Sequence, residues 1–102
     1  MSIFKKKYLI EYRNVKLDVE KSTYHDGRIR LQSYIHKSSE PFATLTTNIE
    51  SYNDILDKDD ILLDCNNVPG IDKILMELGL VGKCLGRLQS GYCTYPIHKW
   101  LG

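Results

Sequence analysis

Cys84, Cys93 and His98 stand close together in the chain, and with Cys65 or His36 they supply the thiolate and imidazole groups that bind zinc. Structural zinc sites present their ligands in closely spaced pairs on tight turns. This chain has no such pair, so the three cysteines read as free thiols used in packing. The same residues contain a Cys–His nucleophile pair, Cys93 or Cys65 with His25, His36 or His98, but no signature sets a thiolate at a helix N-terminus and no third orienting group stands out. Asp57, Asp59, Asp60 and Asp64 offer carboxylate oxygens to a divalent cation, yet the turn glycine and terminal glutamate of an EF-hand loop are missing. Gly79, Gly82 and Gly86 follow a helical pattern instead of opening one, which argues against a phosphate-cradling loop. The expected catalytic, metal and cofactor sets are therefore empty, and the expected role is non-enzymatic binding.

Two stretches carry the charge that binding would use. Lys5, Lys6, Lys7, Arg13, Lys16, Arg28 and Arg30 gather in the N-terminal part, interleaved with Tyr8, Tyr12, Tyr24 and Tyr34. On a sheet with one solvated face Arg28, Arg30, Gln32, Tyr34 and His36 point the same way, so Arg28, Arg30 and Tyr34 form a candidate nucleic-acid face; any solvated strand face has the same look. From Glu50 to Asp64 the acids Glu50, Asp54, Asp57, Asp59, Asp60 and Asp64 meet only Lys58. Such a segment is either a solvated connection or a surface that imitates a phosphate backbone and enters a basic channel of a nuclease. The candidate partner-binding residues there are Glu50, Tyr52, Asp54, Asp57, Asp59 and Asp60. Together the two stretches predict a dipolar molecule with two separate docking surfaces.

The elements that must position these residues follow from periodicity. Tyr8, Ile10 and Tyr12 alternate with Leu9 and Glu11 in a first strand, and Arg13 and Asn14 turn the chain into Val15–Glu20, where Val15, Leu17 and Val19 face a core. His25, Asp26 and Gly27 supply the positive φ of a second reversal into Arg28–His36, with Ile29, Leu31 and Ile35 in register. After a turn at Ser38–Pro41, the threonines of Phe42–Ile49 favour a fourth strand of an antiparallel meander. Tyr52, Ile55 and Leu56 pack a short helical turn, and Ile61, Leu62 and Leu63 read as a short buried strand. Ile71, Ile74, Leu75 and Leu78 then fall at helical spacing, and Gly79 with Leu80 completes a Schellman ending. Leu85–Gln89 and Tyr92–His98 predict a final hairpin closed near Ser90 and Gly91, with Pro96 at a strand edge or end. The expected fold class is α+β, a mainly antiparallel sheet of about five to six strands with one amphipathic helix packed on it.

Composition bounds this reading. A chain of 102 residues, 42% hydrophobic and 26% charged, is sized for a single domain with one core, spanning residues 1–102. A formal net charge of +1 gives no molecule-wide field toward nucleic acid or an anionic membrane. The apolar runs Ile61–Leu63 and Leu78–Val81 fall far short of a bilayer span, and the basic start at Lys5–Lys7 is followed by Glu11 and Arg13 instead of the apolar core of a secretory signal. An odd set of cysteines without paired spacing implies a reducing compartment, so no membrane role and a cytoplasmic location are expected.

Pro41 to Asn48 and Ser90 to Pro96, blocks that read PFATLTTN and SGYCTYP, resemble an uncharacterised family of phages, plasmids and integrative elements. Asp64, Asn66, Asn67, Gly79, Leu80, Gly86 and Arg87 extend the likeness, which covers Phe42 to Ile97. Lys83, Cys84 and Leu85 depart from the family pattern ahead of Gly86. The resemblance implies a loop formed by Arg87, Tyr92 and Tyr95, and a mobile-element setting in which small proteins inhibit host defence. An inhibitor of the anti-CRISPR kind, binding a nuclease effector such as Cas9, is the function it implies; a nucleic-acid-binding accessory protein of a mobile element is the alternative.

Overall fold

The alternation of the N-terminal half builds four strands in the computed structural model, which describes residues 6–102, and every count below refers to those residues. Lys5, the first member of the basic run, lies outside them. β1 (Lys7–Tyr12), β2 (Val15–Thr23), β3 (Ile29–Ile35) and β4 (Pro41–Thr44) pair antiparallel in chain order as the expected meander. Ile10, Tyr12, Leu17, Val19 and Leu31 are buried on one face, while Leu9 stands exposed on the other. Arg13 and Asn14, at φ 48° and 67°, form the two-residue turn whose twist matches the flanking strands. A register shift between Ser33 and Tyr34 marks the β3–β4 pairing. There the buried Ser33 hydroxyl donates to the Ala43 carbonyl (2.7 Å) and accepts from the Ala43 N–H (3.2 Å).

The remaining strands do not extend this sheet. β5 (Thr46–Thr47), β6 (Asp60–Leu63), β7 (Gly86–Ser90) and β8 (Cys93–Lys99) make a second four-stranded sheet in the order β5-β6-β8-β7. The expectation of one sheet of five to six strands is corrected by a single residue. Leu45 is fully buried between β4 and β5; its N–H bonds to the Leu31 carbonyl and its carbonyl accepts from Asp64 N–H, both at 2.8 Å. The chain thus serves β3 in one sheet and the end of β6 in the other, because burying Leu45 bends the Phe42–Ile49 stretch into two short strands. Tyr24 fastens the crossing, its hydroxyl lying 3.0 Å from Thr46 Oγ1.

Helix α1 (Ile71–Glu77) ends as its sequence predicts: Leu80 N–H reaches the Leu75 carbonyl and Gly79 N–H the Met76 carbonyl, each at 3.0 Å, with Gly79 at φ 72°. Leu78, assigned to the buried stripe, is 51% exposed instead, because it is the C-cap and the core already takes Ile71 and Leu75. Pro96 also departs from expectation. It lies inside β8, buried, opposite Arg87 of β7, at a point where the β6 ladder has already ended with Leu62 opposite Ile97, so no N–H is needed there. Ile61, Leu63, Val68, Ile71, Leu75, Val81 and Trp100 join the first sheet's apolar face in one core. Tyr12 donates to the Pro69 carbonyl (2.9 Å) and Tyr8 meets Trp100 edge-on at 5.3 Å, tying β1 to the helix side. The architecture is α+β with antiparallel strands in two sheets. No helix among the described residues is long and apolar enough to cross a membrane.

Candidate functional site: a pinned acidic segment

Acids separated along a flexible connection would repel one another and stay mobile, so their use depends on what holds the backbone. Here the tight β2–β3 turn holds it. The Asp26 carboxylate accepts from Asn48 Nδ2 and Asn53 Nδ2 through Oδ2, both at 2.9 Å, and from Arg28 N–H through Oδ1 at 3.1 Å. These donors, the Asn48 amide foremost, then the Arg28 N–H and the Asn53 amide, hold the Asp26 carboxyl below its ordinary range. Arg28 extends across the same gap, its Nη2 donating to the Asp57 carbonyl (2.9 Å) and the Asp60 carbonyl (3.0 Å). Tyr52, on a 3-10 turn at Glu50–Tyr52, donates to the Gln89 carbonyl of β7 at 2.7 Å. Trp100 N–H bonds the Asp59 carbonyl at 2.8 Å. Three separate parts of the chain, the β2–β3 turn, β7 and Trp100, therefore fix a segment whose composition reads as a solvated connection.

What this display leaves outward is specific. Glu50, Asp54, Asp57 and Asp59 are exposed, with Lys58 among them. Asp60, expected in the same binding set, is instead 9% exposed: its Oδ2 accepts from Asp57 N–H (2.9 Å), and Lys99 Nζ stands 3.7 Å from its Oδ1. It is a brace, because a carboxylate that low in the fold is stabilised only where donors and a cation reach it. Tyr52 is likewise half-buried with its hydroxyl spent on Gln89, so it positions the segment more than it offers a contact. His25 and Glu50 approach to 3.2 Å, but both are so exposed that the pair contributes little.

The candidate basic face is altered in the same way. Arg28 is committed to the acidic segment, which joins the two stretches that the sequence reading kept apart as separate docking surfaces. Arg30 Nη2 donates to Gln32 Oε1 at 2.9 Å, and Gln32, expected to be solvated, is buried. Lys7 lies opposite Glu20 and Lys16 opposite Glu11 in the β1–β2 register, so cations on this face stand across from acids. Tyr34 is half-buried beside Asp18, whose two carboxylate oxygens lie 3.0 Å from His36 Nδ1.

Of the loop trio, Tyr92 stands at the tip of the β7–β8 hairpin, 106% exposed, after Gly91 at φ 61°. The Gln89 amide donates to the Gly91 carbonyl (3.3 Å) and braces that tip. Arg87 pairs with Pro96 and Tyr95 with Leu88, successive positions that point to opposite faces, so the structure does not bring Arg87 and Tyr95 together. The Tyr95 phenol is pushed upward, by burial first and then by the Cys93 thiol and the Asp64 carboxylate.

The sulfur and imidazole groups are spread through the fold. His98 is fully buried with Nδ1 donating to the Gly82 carbonyl at 2.7 Å; Cys84 is exposed with its thiol on the Gly86 carbonyl; Cys93 lies opposite Ser90 near the hairpin tip. Burial pushes the Cys65 thiol up to about 11. Among the described residues no three His, Cys, Asp or Glu side chains gather as a metal site. The sequence reading missed Asp26, Asn48 and Asn53 as the fasteners of the segment: Asp26 registers only as a turn residue, and no local spacing links it to positions more than twenty residues on. No protein-family model, curated protein or solved structure matches the chain.

Proposed function

We propose that this chain is a non-enzymatic protein-binding module that presents Glu50, Asp54, Asp57 and Asp59 to a basic groove on a partner, in the manner of an inhibitor that occupies the nucleic-acid channel of a nuclease. The observation that carries the reading is the fastening of the acidic backbone by Asp26, Arg28, Tyr52 and Trp100. Ordering such a segment at the moment of binding would consume affinity, and a segment ordered beforehand avoids that loss. Exposed acids on a fixed backbone also steer association toward a basic surface. Tyr92, wholly exposed at a braced hairpin tip, has the size and polarity of an interface anchor.

The resemblance to proteins of mobile elements makes the sharpest version an anti-CRISPR-type inhibitor, acting in the cytoplasm of a bacterial host on a nuclease effector. The alternative, direct binding of nucleic acid through Arg28, Arg30 and Tyr34, is weakened because both guanidinium groups already donate inside the fold. The test is a pull-down against candidate effectors followed by a cleavage assay. Capture with loss of cleavage is expected, and full cleavage at saturating protein would remove the inhibitor reading. Binding of free DNA or RNA that weakens steeply with salt would favour the alternative.

A further inference from the structure

The order of the first sheet leaves β1 with a neighbour on one side only. His36 N–H donates to the Lys16 carbonyl at 2.9 Å, so the backbone groups of Lys16 point toward β3 and away from β1. Glu11, opposite Lys16, therefore turns its own N–H and C=O away from β2, and by the period of the strand so do Leu9 and Lys7. Among the described residues no hydrogen bond from elsewhere in the chain reaches the backbone of those three positions. An edge of this kind is a template for another strand, and proteins commonly blunt it with a lysine that repels its own copy.

Here the side chains on the edge complement themselves. Lys7, Leu9 and Glu11 are all exposed on one face of the strand, Leu9 at 55%. An antiparallel second copy with its two-fold axis at Leu9 sets Leu9 against Leu9, Lys7 against Glu11 and Glu11 against Lys7. Each of these residues then exchanges both backbone groups with its opposite number, as a hydrogen-bonded antiparallel pair does. The charges also fit across the joined sheets. Glu20 faces Lys7 and Lys16 faces Glu11 within one chain, so the row runs Glu20, Lys7, then Glu11 and Lys16 of the second copy, alternating in sign throughout. Neighbouring positions of the axis lose this match: at Tyr8 it sets Lys7 against Leu9, and at Ile10 it sets Lys7 against Arg13.

We propose that β1 pairs with β1 of a second copy of this chain about a two-fold axis at Leu9, joining the two copies through one continuous antiparallel sheet. This contact is independent of the acidic segment and of the partner proposed for it. One short strand per copy makes a small interface, so sedimentation of the whole protein up to about 1 mM is expected to show a monomer–dimer equilibrium with a Kd of roughly 10–100 µM. Exchange of the Lys7, Leu9 and Glu11 amides should slow at least threefold as the dimer forms. Lys7→Glu and Glu11→Lys chains, each shown to be folded by its melt, set like charges opposite each other and are each expected to dimerise at least tenfold more weakly. Mixed, the two variants regain opposite charges at both pairs and should bind each other at least tenfold more tightly than either binds itself. A protein that stays monomeric at 1 mM, or a dimer whose Leu9 amide exchanges as fast as the monomer's, would overturn the proposal. So would undiminished dimerisation of either folded variant, or a mixture that associates no more tightly than its parts.

Discussion

Asp26 and Arg28 decide how the acids are displayed, and each does so by hydrogen bonds instead of by simple charge pairing. The folded-state pKa of Asp26 lies below its unfolded value, so ionised Asp26 favours the docked loop above the unfolded pKa of about 4, and that contribution is lost as pH falls through the lower, folded value. Hydrogen exchange is expected to show the amides of Asn48–Asn53 opening as pH drops from about 4 while those of β2 stay protected; parallel loss at both sites would contradict the assignment. Arg28→Ala removes both donors to the Asp57 and Asp60 carbonyls and should loosen the same segment without unfolding the sheets. The thiols give a second check at this scale. Cys65, raised to about 11 by burial, should alkylate at least tenfold more slowly at pH 8 than exposed Cys84, as read by mass spectrometry after partial labelling.

The elements themselves were legible wherever a period or a turn residue marks them. Strict alternation at Val15–Glu20, the positive-φ turns at Asn14 and Gly27, and the Schellman ending at Gly79 all lie within a few residues of their cause. Leu45 was not legible, because the bend it enforces depends on Leu31 and Asp64, which no local pattern associates with it. For the same reason the sequence separates the charges at 28–30 from those at 50–60, whereas Arg28 joins them in the fold: that link requires the β2–β3 turn to meet the chain after β5. Packing predictions belong here. Leu75→Ala opens a cavity in the shared core and should cost about 2–5 kcal/mol, lowering Tm by about 10 °C or more in a thermal melt. Ser33→Ala leaves the Ala43 N–H and carbonyl without their hydroxyl partner and should cost about 1–3 kcal/mol by denaturant titration, with β3–β4 amides exchanging first.

For the molecule as a whole, a formal charge of +1 conceals an uneven surface, with exposed acids fixed at one end of β2. That display is invisible in a net count and follows from which charges the fold uses internally. Arg28, Arg30 and Asp60 are taken up by hydrogen bonds or burial, while Glu50, Asp54, Asp57 and Asp59 are left to solvent on a backbone that cannot easily rearrange. That division leaves the acidic segment as the surface that the proposed basic partner would meet. The direct measurement is the affinity of a captured partner for the native chain and for an Asp54→Lys, Asp59→Lys variant whose folding is verified by its melt. Binding at least tenfold weaker, mostly through a slower association rate, is the predicted result; equal affinity of the two chains would contradict the account.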